Sequence, residues 1–111
     1  MGTRIAVSPG GRAATLTVDS DIDDRARPGI ESAAARLPLT VRHLTLDLAR
    51  VDFVDSSLLH VLRTVDLSVS GRGGLLRVRG LRPQPSRLLE LAADLWPGAR
   101  WEAYAAAAGS N

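Results

Sequence analysis

Apolar and polar positions along the 111-residue chain fall into two patterns, short strand-like segments of five to seven residues and a spacing of three and four. Residues 4–8 and 13–19 are short strand-like segments, and Pro9-Gly10-Gly11 between them is a turn, so the chain is predicted to open with a β-hairpin. Ile30, Ala33, Ala34 and Leu37 then recur at helical spacing, with Asp23 placed to cap. Pro28 is tolerated only in a first turn, which starts this helix near Ala26 or Arg27, and Pro38 stops it. Residues 41–48, dominated by Val41, Leu44, Leu46 and Leu48, read as a central strand covered on both faces. From Ser56 to about Ser70, Leu58, Leu62, Val65 and Val69 form one stripe with Leu59 beside it, and Gly71-Arg72-Gly73-Gly74 ends the helix. Residues 75–79 are another strand. Pro83-Gln84-Pro85 opens a third helix, whose core face is expected to carry Leu88, Leu91, Ala92 and Leu95. Pro97-Gly98 is a turn, residues 99–103 are expected to be a final strand, and the Ala-rich tail 104–111 is expected to fray. The order ββαβαβαβ describes an α/β fold with a mixed sheet of four to five strands: strand–helix–strand units make parallel neighbours and the hairpin adds an antiparallel pair.

Length and composition sharpen this. A chain of 111 residues with 45% hydrophobic content suits one domain (residues 1–111, core about 4–103) around a modest core. No apolar run reaches membrane-spanning length, and Met1-Gly2-Thr3-Arg4-Ile5 lacks a secretory apolar stretch, so neither membrane insertion nor export is expected. Cysteine is absent, which excludes disulfides and thiolate metal sites and fits the cytoplasm. All 14 basic side chains are Arg, with no Lys and one Tyr, so little titrates near neutrality and a net charge of only +2 yields a sequence pI of about 10.4. That weak field is no nucleic-acid footprint.

Candidate chemistry concentrates in Leu44–Ser57, a buried strand, a short turn and then Asp55-Ser56-Ser57 opening a helix. A hydroxyl at a helix start sits among unpaired N–H groups and the positive end of the helix dipole, a place where a phosphate can be held. Ser56 there is either a plain N-cap, worth about 1 kcal/mol, or a chemical switch. Position alone favours the cap.

The run Leu46-Asp47-Leu48-Ala49-Arg50-Val51-Asp52-Phe53-Val54-Asp55-Ser56-Ser57-Leu58-Leu59 resembles the central motif of the STAS domain, the family of bacterial anti-sigma factor antagonists. Ser20-Asp21-Ile22-Asp23 is similar to the family's element before the first helix, and Gly73-Gly74-Leu75-Leu76-Arg77-Val78 to its glycine loop and strand. The resemblance covers about residues 4–103. It implies a non-enzymatic module that binds an anti-sigma factor with serine kinase activity. The kinase would phosphorylate Ser56 from ATP and switch the module off, and a separate phosphatase would reset it. Ser57 is the second candidate for the phosphate. Asp23, Asp55, Ser56, Ser57, Leu58 and His60 are the implied partner-binding residues. Asp55 would orient the hydroxyl, assist kinase recognition or complement the helix dipole. Asp23 would stand near the phosphate or cap the first helix. Two departures stand out: Leu58 occupies the family's usual Gly, which lets a partner approach closely, and Ser20 replaces another Gly. Leu58 favours the alternative, a STAS accessory or scaffold subunit, for example of a lipid-transporting ATPase, that phosphorylation does not control.

The remaining chemistry is sparse. His60 shares a helical face with Ser56 and, protonated, could pair with a phosphate. A hydrolase pair of the two lacks a Gly-x-Ser-x-Gly elbow and has poor triad geometry. His43 has no second ligand near it in sequence, so no metal site and no cofactor are expected. Trp96 and Trp101 are expected to pack the last helix and strand against the sheet. Arg77, Arg79 and Arg82 read as solvated strand and loop charges.

Overall fold

Alternation along the three parallel strands decides which side of the sheet is buried. The computed structural model describes residues 2–96, Trp101 and Tyr104. Its sheet has the order β1-β2-β3-β4, with β1 at Thr3–Val7, β2 at Ala13–Val18, β3 at His43–Asp47 and β4 at Leu75–Arg79. β1 pairs antiparallel with β2, as the hairpin required, and β2, β3 and β4 run parallel. The register aligns Ala14 with Leu44 and Leu76, and Leu16 with Leu46 and Val78. All six are buried on one face. On the other face lie Thr15, Thr17, Thr45, Asp47, Arg77 and Arg79, none of them buried. β3 is therefore covered on one side only, a correction to the reading of a strand buried on both. Val41 and Leu48, which suggested double burial, are buried just outside the strand ends.

Among the described residues, α1 at Arg27–Ala35, α2 at Ser57–Ser70 and α3 at Pro83–Leu95 follow β2, β3 and β4 in turn. α1 and α2 pack on each other and on the core face of the sheet. Proline opens α1 and α3 where a missing N–H does no harm. α2 buries Leu58, Leu62, Val65 and Val69 as their spacing predicts, together with Val61. In α3 the buried positions are Pro85, Leu89 and Ala92, while Leu91 and Leu95 are exposed. The helix is thus rotated from the expected stripe of Leu88, Leu91, Ala92 and Leu95. Six apolar residues between Leu88 and Leu95 allow more than one apolar stripe, and the attachment of Gln84 described below selects one.

Of the expected final strand, residues 99, 100, 102 and 103 lie outside the described residues, as do Pro97-Gly98 and all of the tail but Tyr104. Trp101 and Tyr104 are described and are helical, not extended. Three residues apart, they share a helical face: their rings stand 6.2 Å apart, Tyr104 is buried and Trp101 packs on the core. Trp96 stays exposed. No helix among the described residues is long and apolar enough to cross a membrane.

Gly80, after β4, holds a positive φ of 75° and faces Ala49, where a Cβ would lie 2.8 Å from the Ala49 Cβ and 3.0 Å from its backbone. Gly80→Ala is therefore expected to destabilise the protein by about 1–3 kcal/mol, read as a lowered midpoint in guanidinium unfolding with unchanged slope.

Candidate functional site

The parallel strands β2, β3 and β4 put their ends, and the starts of α1, α2 and α3, at the same pole. The loops 19–26, 48–56 and 80–82 meet there, where ligands and partners of open α/β sheets dock. The second loop is the one that carries Ser56, and its backbone is held from both sides. Ile22 N–H donates to the Phe53 carbonyl at 3.2 Å and Asp55 N–H donates to the Ile22 carbonyl at 3.1 Å, forming an isolated parallel bridge between Ile22 and Val54. Across from it, Val54 N–H donates to Gln84 Oε1 at 2.8 Å and Gln84 Nε2 donates to the Val54 carbonyl at 2.9 Å. The Gln84 amide thus pairs with Val54 as a neighbouring strand would. Ile22 and Val54 are buried, so their polar backbone groups need these partners.

Further ties fix the same loop. Arg82 donates from Nη1 to the Ala49 carbonyl at 3.0 Å and pairs through Nε with Asp52 at 2.8 Å. Asp47, at the end of β3, accepts from Ala49 N–H at 3.0 Å and from Arg79 Nη2 at 2.6 Å. Burial pushes the Asp47 carboxyl up. The Arg79 hydrogen bond, the Ala49 N–H and the charges of Arg79 and Arg50 outweigh burial and hold it below its ordinary value. Arg79 and Arg82 are loop fasteners, a role their exposed-charge reading missed.

The helix start differs from a serine cap. Asp55 Oδ1 accepts from Ser57 N–H at 2.7 Å, the Asp55 carbonyl accepts from Leu58 N–H at 3.1 Å, and the Ser56 carbonyl accepts from Leu59 N–H at 3.0 Å. Ser56 itself is helical (φ −61°, ψ −12°), and its side chain makes no capping hydrogen bond. Asp55 does the capping, and the exposed Ser56 hydroxyl is left outside the helix's own bonding. The anion position expected for a phosphate already holds the Asp55 carboxylate.

The other candidates divide. Ser57 is 7% exposed and turned inward. Leu58 is fully buried in the core, a correction to its placement among partner-facing residues: burying it is worth about 1.5–3 kcal/mol, and its side chain offers nothing at the surface. His60 is exposed, one turn along α2. Asp23 Oδ1 accepts from Arg25 N–H at 3.0 Å and Ala26 N–H at 2.9 Å, fastening the turn into α1. The Ile22–Val54 bridge brings that turn beside the Ser56 loop, so both motifs meet at one rim. Gln84 was missed; a polar side chain between two prolines at a helix start was its only signal. Among the described residues no cluster of His, Asp and Glu could hold a metal ion.

Comparison with known proteins places this geometry. A family model described as "Mlab, STAS domain" matches residues 5–93. No curated protein matches. The structure of the anti-sigma factor antagonist SpoIIAA in its unphosphorylated form is similar, with a TM-score of 0.72 and 12% identity over 82% of this chain and 80% of that one. So is the crystal structure of an antisigma-factor antagonist STAS domain from Rhodobacter sphaeroides, with a TM-score of 0.55 and 20% identity over 71% and 85% of the two chains. At these identities the likeness is one of fold.

Two measurements check the site's construction. Gln84→Ala leaves the Val54 N–H and carbonyl without partners and is expected to cost about 1–3 kcal/mol, with faster amide exchange at Val54. Asp47 has a lowered pKa in the folded state, so its stabilisation is complete above the ordinary aspartate value of about 3.9 and is lost as pH falls through the folded value. The stability gap between the wild type and Asp47→Asn, up to about 1 kcal/mol for a pair with an exposed arginine, should therefore shrink on acidification below about pH 4; a gap that grows contradicts the assignment.

Proposed function

The chain belongs to the STAS domain family, and from that premise we propose that it is a non-enzymatic regulatory module of the antagonist kind, acting as one domain in the cytoplasm. Its partner is an anti-sigma factor with serine kinase activity, which it binds through the Ser56 rim when Ser56 is unmodified. The observation that carries this reading is the Ser56 hydroxyl: exposed at the start of α2, and spared from capping by Asp55. A serine kept only to cap would make the bond that Asp55 makes instead.

The chemistry of switching follows from the same contacts. Phosphorylation places about −1.5 to −2 charges on the rim. The first N–H groups of α2 already have acceptors, and Asp55 is adjacent, so the domain does not neutralise the phosphate internally. The phosphate remains hydrated, and a partner covering Ser56 must strip that hydration. A penalty of about 4 kcal/mol lowers affinity roughly a thousandfold. The fold has no need to move, since the loop is fixed by Ile22 and Gln84. Release then requires a separate phosphatase.

The alternative is an accessory or scaffold subunit, for example of a lipid-transporting ATPase, without phosphorylation. Two observations favour it: Leu58 fills the core where the family usually has Gly, and the matching family description names Mlab rather than an antagonist.

Incubation with the cognate ATP-binding kinase and ATP should add one phosphate by intact mass. Ser56→Ala should abolish it, and Ser57→Ala should leave it in place. Undiminished labelling of Ser56→Ala removes Ser56 from the role. Co-purification with an ATPase subunit, and with no kinase, selects the alternative.

A further inference from the structure

One aromatic side chain on the Ser56 rim is exposed. Phe53 is the only Phe in the chain and is 55% exposed. A single exposed apolar residue is ordinary, but this one stands on a fixed backbone. Its carbonyl is bonded to Ile22, and the next residue is held by Ile22 on one side and Gln84 on the other. Val54 points into the core and Phe53 out of it. The ordering entropy that a flexible loop would lose on binding is already lost here.

The surroundings of Phe53 define what it fits. This pole carries Asp19, Asp21, Asp23, Asp24, Asp52 and Asp55 against Arg25, Arg50, Arg82 and, from the start of β1, Arg4, which pairs with Asp19 at 3.8 Å. The opposite pole, residues 8–12, 36–42 and 71–74, carries Arg12, Arg36, Arg42 and Arg72 with no Asp or Glu. Helix dipoles account for part of this segregation, since each helix start supplies about half a positive charge. With Asp19 matched by Arg4 the excess is two aspartates, which three starts at about half a charge each do not fully offset, so the rim stays slightly negative on a protein of net charge +2.

We infer that Phe53 is the anchor of a docking surface and enters an apolar pocket bordered by arginine or lysine on the partner protein. This rests on the reading of the Ser56 rim as the partner-binding face and names the partner's complementary chemistry. Ser56 lies three residues along, inside the zone from which a seated Phe53 would exclude water. An aromatic anchor with a charged surround is the usual composition of an interface hot spot.

The test places a photo-reactive benzophenone amino acid at Phe53 in cells of the source organism. The control position is Leu39, which is 76% exposed at the opposite pole. A covalent adduct with one protein from position 53 and none from 39 supports the surface, provided the cross-linked peptide joins apolar residues to Arg or Lys. With that protein purified, Phe53→Ala should weaken binding at least about tenfold without changing the unfolding midpoint. Affinity should also fall with added salt, and less steeply in the double variant Asp21→Asn, Asp24→Asn. No adduct at 53, equal adducts at both positions, an adduct with a second copy of this chain, or unchanged affinity of Phe53→Ala overturns the inference. An adduct with a protein that binds no ATP and leaves Ser56 unmodified supports the surface while ending the kinase reading. A kinase that labels Ser56 and binds Phe53→Ala as tightly as wild type does the reverse.

Discussion

The backbone of Val54 is the joint on which the rim depends. It is buried, so its N–H and carbonyl cannot turn to water. The loop carrying it leaves the sheet at Asp47 and has no strand to pair with. Ile22 from the β2–α1 loop takes one edge and the Gln84 amide from α3 takes the other. Three separate segments of the chain thus converge on one residue. From this joint follow the outward position of Phe53, the placement of Asp55 at the helix start and the release of Ser56 from capping.

The parallel connections impose a second constraint. They gather helix starts at one pole and helix ends at the other. Aspartates suit the first and arginines the second. Asp23 and Asp55 bond N–H groups at the entries to α1 and α2, while Arg36, Arg42 and Arg72 donate to carbonyls in and just beyond the last turn of α1. Local satisfaction of helix ends therefore gives the whole molecule its charge axis. The arginines look scattered in sequence because the chain crosses between the poles with every element.

Much of the fold was legible because it is written in short-range terms. The hairpin follows from Pro9-Gly10-Gly11, the limits of α1 from Pro28 and Pro38, and the buried stripe of α2 from its spacing. The rotation of α3 was not legible, since Leu88, Leu91 and Leu95 form a stripe as good as Pro85, Leu89 and Ala92. A contact 30 residues away, between Gln84 and Val54, fixes the choice. Burial of β3 on one face was obscured by Val41 and Leu48, which are apolar but outside the strand. At the site, Asp-Ser-Ser marked the helix start correctly. Which of the three residues caps it depends on backbone angles that the letters do not carry: with Ser56 already helical, the preceding Asp55 takes the position.

The clamp on Val54 also has a bearing on synthesis. A chain translated only as far as the end of α2 already contains the serine and its neighbouring aspartate, but Gln84 has not yet been made. The rim in its native form can arise only after the third strand–helix unit has left the ribosome and closed over the loop. A partner that recognises the clamped loop would therefore pass over nascent and truncated chains, and respond to the number of finished molecules.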